Sequence, residues 1–133
     1  MALPTVGGGY QLGDGNLSEV TLGDLGTVAT ATATATLTVA QITAGILSAN
    51  PGTTAASYTL PTGTLIDATL TNAKVGSTFD LIIVNLGTST GDITIVAGTG
   101  ITLAGSATVN DGTSAQIRFV RTGDAAWTAY RIA

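Results

Sequence analysis

Residues 27–39, TVATATATATLTV, alternate threonine and alanine with a period of two. Successive side chains of a strand point to opposite faces. The run therefore predicts one β-strand, with Thr30, Thr32, Thr34 and Thr36 on one face and Ala29, Ala31, Ala33, Ala35 and Leu37 on the other. Alanine buries little area, so the second face gains little from a conventional core, yet it lets another backbone layer come close. A long uncharged strand left as a free edge recruits other chains and must be paired or covered. Two placements meet that demand: an inner strand of a sandwich, or a subunit interface built on Ala29, Ala31, Ala33, Ala35 and Leu37.

The rest of the chain continues this chemistry. Among 133 residues there are 26 Thr, 20 Ala and 18 Gly, with six aromatic side chains. Small and β-branched residues favour pleated strands. The length fits a single domain. Charged residues make up 9% of the chain, against a usual ~25%, and the net charge is -4. With a mean hydropathy of +0.46, so few charges predict that part of the surface is covered by copies of the chain or by a larger assembly.

Several function classes drop out at this point. Four cations, of which only Arg118 and Arg121 lie close together, cannot supply the clustered charge that nucleic-acid binding needs. No apolar run approaches the ~18 residues of a spanning helix, so no membrane partner is expected. The opening MALPTVGGG has neither a basic n-region nor an apolar h-region, so no signal peptide is expected and synthesis is placed in a cytoplasm. The absence of His and Cys removes imidazole acid/base catalysis, thiol nucleophiles, disulfides, and thiolate or imidazole metal ligation.

Residues 1–26 read as an extended arm, with seven glycines among scattered apolar residues and no sustained period. Residues 27–133 read as the folded domain. After the Thr/Ala run, Thr38 can cap one or two helical turns through Val39, Ile42 and Ile46, which Asn50-Pro51-Gly52 ends. Residues 55–60 predict a short strand. Residues 62–72 predict a short amphipathic helix capped by Thr62 or Thr64, with Leu65, Ile66, Thr69 and Leu70 on one side.

From Ser77 onward, strand and turn alternate. Phe79, Leu81 and Ile83 point inward, with Ile82 and Val84 on the second face. Gly105 marks a possible bulge, Asn110-Asp111-Gly112 is the strongest hairpin signal, and Ile117 and Phe119 alternate with Arg118 and Val120. Trp127 and Tyr130 fall on opposite faces. Seven or eight strands at this spacing predict a mainly β chain: an antiparallel jelly-roll-like β-sandwich with one or two short helices and an extended N-terminal arm.

Catalytic candidates are sparse. Lys74 lies in a connecting turn with no S-x-x-K motif before it, and Asp80 is the one acid set on a predicted strand, flanked by the apolar Phe79 and Leu81. Asp92, Asp111 and Asp124 lie where turns favour aspartate. The glycine clusters at 7–9 and 13–15 lack the G-K-[ST] of a phosphate loop, and no D-x-[DN]-x-[DN]-G calcium loop is present. No catalytic residue, cofactor or metal ligand is assigned, and no enzyme activity is expected.

The segments VGGGYQLGDGNLSEVTLG (6–23), ATATATATLTVAQI (29–42), ANPGTTAASYTLPTG (49–63) and FDLIIVNLGTSTGDITIVAGTGITLAGSATV (79–109), with the closing WTAYRIA (127–133), occur in an order that covers nearly all of the chain. In that order, and above all in the ending, the chain resembles the small head decoration, or cement, proteins of tailed bacteriophages, including phages of cyanobacteria. The resemblance implies a β-sandwich that trimerises on the outer surface of an icosahedral capsid and staples neighbouring capsomers. Its implied partners are the major capsid protein and two further copies of itself, its implied location is the virion, and it carries no catalytic residues. The arm is then expected to reach over capsid protein or a neighbouring trimer through Leu3, Val6, Tyr10, Leu12 and Leu17, chosen as apolar groups in a glycine-rich setting. A competing reading is a receptor- or glycan-binding module of a tail fibre or adhesin, for which Trp127, Tyr130 and Arg131 form the candidate cluster.

Overall fold

The computed structural model describes residues 22–133. Among them are ten strands and two short helices: β1 (Ala29–Ala31), β2 (Ala35–Thr36), α1 (Val39–Thr43), β3 (Ile46–Ala49), β4 (Ala56–Thr59), α2 (Gly63–Thr69), β5 (Thr78–Asn85), β6 (Ile93–Val96), β7 (Ile101–Ala104), β8 (Thr108–Val109), β9 (Ser114–Gly123) and β10 (Ala126–Arg131). The strands form a six-stranded sheet in the order β1-β3-β5-β9-β10-β7 and a four-stranded sheet in the order β2-β4-β6-β8. The chain is thus mainly β, with two sheets, as the composition predicts.

The pairing differs from the expected one. β1, β3 and β5 run parallel in one sheet and β2, β4 and β6 run parallel in the other, and β10 is parallel to β7. Only β5–β9, β9–β10 and β6–β8 are antiparallel. A jelly roll pairs its strands antiparallel, so the expected arrangement gives way to a mixed one. From β1 to β6 the chain winds in coils, each laying one strand on either sheet, with α1 and α2 serving as crossovers. Parallel neighbours need such crossovers, because a tight hairpin can join only antiparallel strands.

The Thr/Ala run is the clearest case of a local pattern divided by tertiary structure. Instead of one strand it forms β1 in the six-stranded sheet and β2 in the other, with bends at Ala33 and Thr34 between them. Period two holds within β1, where Ala29 and Ala31 pack against the core and Thr30 is exposed. It does not hold to the end, because β3 offers only four residues to pair with before Asn50 turns away. Two contacts fix the crossing. The Tyr58 hydroxyl donates to the carbonyl of Thr32 at 2.7 Å, and the Thr34 hydroxyl accepts from the Ser57 amide at 3.0 Å. Burial pushes the Tyr58 phenol up, which keeps it a donor. The edge is blunted as well: the Gln41 side chain donates to the carbonyl of Thr30 at 2.8 Å, and the two edge strands are three and two residues long.

The run 101–110 divides in the same way. β7 ends before Gly105, whose φ of +103° re-aims the chain toward the other sheet, where β8 forms. The Asn110-Asp111-Gly112 turn is present, but it carries the chain from β8 to β9 in the other sheet and closes no hairpin. Turn chemistry sets the reversal; it does not choose the partner.

One core lies between the sheets. Leu47, Leu81, Ile83, Ile117 and Phe119 enter it from the six-stranded sheet, Tyr58, Ile93, Ile95 and Val109 from the four-stranded sheet, and Ile42 and Ile66 from the helices. The period-two assignment of β5 and β9 holds throughout. Phe79 stacks on Phe119 with ring centroids 4.6 Å apart, and Trp127 lies tilted 5.4 Å from Phe79. Such aromatic contacts add about 1 kcal/mol each beyond their burial. Thr38 and Thr62 cap the two helices, accepting from Gln41 and Leu65 respectively, and Gln41 closes a capping box.

Glycine is required where α2 begins. A Cβ on Gly63 would sit 2.0 Å from the carbonyl oxygen of Ala125, in the turn between β9 and β10. Gly63→Ala is expected to cost about 2 kcal/mol or more through forced separation of α2 from that turn, read as a lower urea midpoint. Gly23→Ala, at a position open to solvent, is expected to leave the midpoint unchanged; equal effects would contradict the close approach.

Candidate functional site

Arg118 and Asp80, opposite each other on β9 and β5, form a bidentate pair at 2.8 and 3.0 Å on the outer face of the six-stranded sheet. The Arg118 guanidinium holds the Asp80 carboxyl below the usual range. Gln116 donates to the same carboxylate at 3.4 Å. The acid singled out by its apolar sequence neighbours is therefore an exposed partner in an ion pair, since Phe79 and Leu81 turn to the opposite face. Lys74 is exposed in the turn after α2, where its amide donates to the Ser77 hydroxyl.

The densest polar constellation is one that the sequence did not reveal. Asp67, on α2, accepts from Arg121 at 3.1 and 3.0 Å, from the Ala125 amide at 2.7 Å and from the Trp127 indole at 2.9 Å. Arg121 also reaches Asp124 at 3.2 Å. The Arg121 bonds, then the amide and the indole, hold the Asp67 carboxyl well below the ordinary aspartate range. Every acceptor direction of this carboxylate is engaged by its own chain. It clamps α2 onto the β9–β10 turn, beside the glycine contact described above, and its chemistry is structural.

The glycan cluster disperses. Trp127 is buried with its indole bound to Asp67, and Arg131 is tied to the carbonyls of Ser106, Thr108 and Ala133. Only Tyr130 offers an exposed ring, on the outer face beside Arg118. Among the described residues no group of three or more acidic side chains is placed to hold a metal ion, and no helix is long and apolar enough to cross a membrane.

What remains is surface chemistry. From Leu25 to Ile66 the sequence contains no Asp, Glu, Lys or Arg. This stretch builds β1 to β4, α1 and the start of α2, so one half of the winding presents threonine, alanine and a few aliphatic side chains. Of the residues expected at a subunit interface, Ala33 and Ala35 are exposed, Ala29 and Ala31 pack partly against their own core, and Leu37 is buried in it. The arm residues Leu3, Val6, Tyr10, Leu12 and Leu17 lie outside the described residues. No family model, curated protein or solved structure matches the chain.

The clamp has a pH signature. Asp67 and Asp80 both have folded values below their unfolded ones, so the unfolded chain takes up protons first as pH falls. Their stabilisation is complete at neutral pH and begins to fade below about pH 4, where free aspartate protonates. Thermal melts followed by circular dichroism should show a level midpoint from neutral pH down to about pH 5 and a fall below about pH 4. Asp67→Asn should lower the neutral midpoint by several degrees and flatten the acid limb. A midpoint that rises on acidification would contradict this account.

Proposed function

We propose that this chain is a structural virion protein that decorates an assembled phage capsid, binding its outer surface as a homotrimer and cementing neighbouring capsomers. The charge-free half of the fold carries the reading: a small β protein that leaves so much uncharged, small-residue surface is suited to a life in contact with other protein. The order of segments that resembles cement proteins points the same way. The partners are the major capsid protein and further copies of the chain, made in the host cytoplasm and placed on the virion exterior. The glycan-binding alternative loses support because Trp127 is buried and Arg131 is tied to carbonyls of its own chain.

Cementing needs no chemistry. A protein that binds the assembled lattice better than free subunits stabilises the lattice by mass action. Weak individual contacts suffice, because linked copies bind with raised effective concentration. In this reading the glycine-rich residues 1–26 reach over capsid protein or a neighbouring trimer, and Leu3, Val6, Tyr10, Leu12 and Leu17 supply the apolar contacts.

Co-sedimentation with undecorated phage heads tests the proposal. The full chain should pellet with heads, and deletion of residues 1–20 should weaken that binding by roughly tenfold or more, the equivalent of about 1.4 kcal/mol. A full chain that stays in the supernatant would overturn the decoration reading. Unchanged binding by the deletion would overturn the role of the arm and leave the rest.

A further inference from the structure

A groove of about 680 Å³ opens between α1 and α2. Leu37, Val39 and Ala40 line one side, Leu65 and Ala68 the other, and Thr43, the last residue of α1, also faces it. No charged side chain lines the groove. Leu65 is 54% exposed there, although the sequence pattern sets it on the packed side of its helix. Asp67, on the same helix, is turned toward Arg121.

The chain enters the described fold beside this groove. Leu25 lies against Gly45, where an added Cβ would come within 2.6 Å of its Cδ1, and Gly45 stands two positions after Thr43. Asp24 accepts from the Gly26 amide at 2.8 Å and helps to fix the entry. Residues 1–21 are attached at this point. The stretch MALPTVGGGYQLG (1–13) contains no charged side chain. Tyr10 and Leu12 stand two positions apart, a spacing that an extended chain sets on one side. The stretch from Leu12 to Leu25 includes Gly13, Gly15 and Gly23, which let a chain reverse. It can span up to about 45 Å, whereas α2 is about 10 Å long.

We propose that, in the unbound chain, Tyr10 and Leu12 of the arm lie in the α1–α2 groove of the same copy. The point of attachment selects this occupant. A segment on a short flexible linker meets its site at an effective concentration on the order of millimolar. At micromolar protein, a second copy or a free partner offering the same apolar contact is at a disadvantage of about a thousandfold. Groove and segment both lack charge, so the contact buries no unpaired ion. It also covers apolar surface on both sides in a chain that has few charges to keep it soluble. The inference concerns the unbound copy and so goes beyond the decoration reading, in which the same two side chains leave the groove when they engage the lattice.

The chain has no cysteine, so a single introduced thiol reports on the groove. Ala68 is exposed on the groove wall. In the full-length Ala68→Cys variant, labelling by a maleimide should be about tenfold slower than in the same variant lacking residues 1–20. Tyr10→Ser with Leu12→Ser should restore most of the fast rate with the arm still present. Thr102→Cys, exposed on β7, should label equally with and without the arm, with unchanged circular dichroism. Equal labelling of Ala68→Cys in full and shortened chains would overturn the contact. Protection that survives the double serine change would overturn the two anchors, and protection lost on dilution from about 100 to 1 micromolar would place the arm in a neighbouring copy and overturn the proposal. The measurement uses no heads, so its failure leaves the decoration reading standing, and a chain that ignores heads leaves this contact standing.

Discussion

Each time the chain leaves one sheet for the other, its backbone groups lose the ladder that satisfied them, and a buried amide or carbonyl without a partner is costly. The chain does this at every step from β1 to β9. The fold therefore depends on side chains that replace ladder bonds at the crossings. Tyr58 and Thr34 do so between β1 and β2. Asn85 does so between β5 and β6, donating to the carbonyls of Gly91 and Val109 and accepting from the Gly87 amide. Asp92 accepts the Asp111 amide between β8 and β9, and Arg131 donates to the carbonyls of Ser106, before β8, and Thr108, at its start. Asp67 does the same for the β9–β10 turn. Few polar side chains are spent elsewhere in the interior: Asn85 is the one buried polar residue among the described ones.

This economy explains how a chain with 9% charged residues holds a defined structure. Threonine hydroxyls and a few amides satisfy the crossings, and two bidentate ion pairs link distant segments on the charged half. Tight backbone approach does the rest, as where Gly63 meets Ala125. Small residues are what make that approach possible. The cost is a core with few aromatic side chains: Phe79, Phe119 and Trp127 pack together on the six-stranded sheet and Tyr58 enters from the other, with leucine and isoleucine filling the rest.

The parts of this fold legible in the sequence are those decided by neighbours. The alternation of β5 and β9, the threonine caps of both helices and the β9–β10 reversal follow from residues within a few positions of one another. What was not legible depends on partners far along the chain. Nothing in TVATATATATLTV says that β3 offers only four residues to pair with, so one expected strand became two in different sheets. Parallel pairing is equally hidden, since Leu47 and Ile83 come to lie side by side only after a crossover has been inserted between them. Asp67 looked like an ordinary helix residue because Arg121 and Trp127 stand 54 and 60 positions away. The charge-free span from Leu25 to Ile66, by contrast, was open to view. It acquires meaning only when the winding gathers it into one half of the molecule.

The distribution of charge also constrains how such a surface can bind. Arg118 and Arg121 are committed to carboxylates of their own chain and Arg131 to backbone carbonyls. Ion pairs made by these arginines with a partner would have to break these contacts first. Binding through the uncharged half must then draw on apolar area, shape and the number of linked copies, and exposed apolar contacts lose little to added salt, whereas exposed charge pairs lose much. A chain that works this way holds to its partner across changes in ionic strength. In the proposed role, that property suits a protein whose partner is a fixed lattice rather than a diffusing charged ligand.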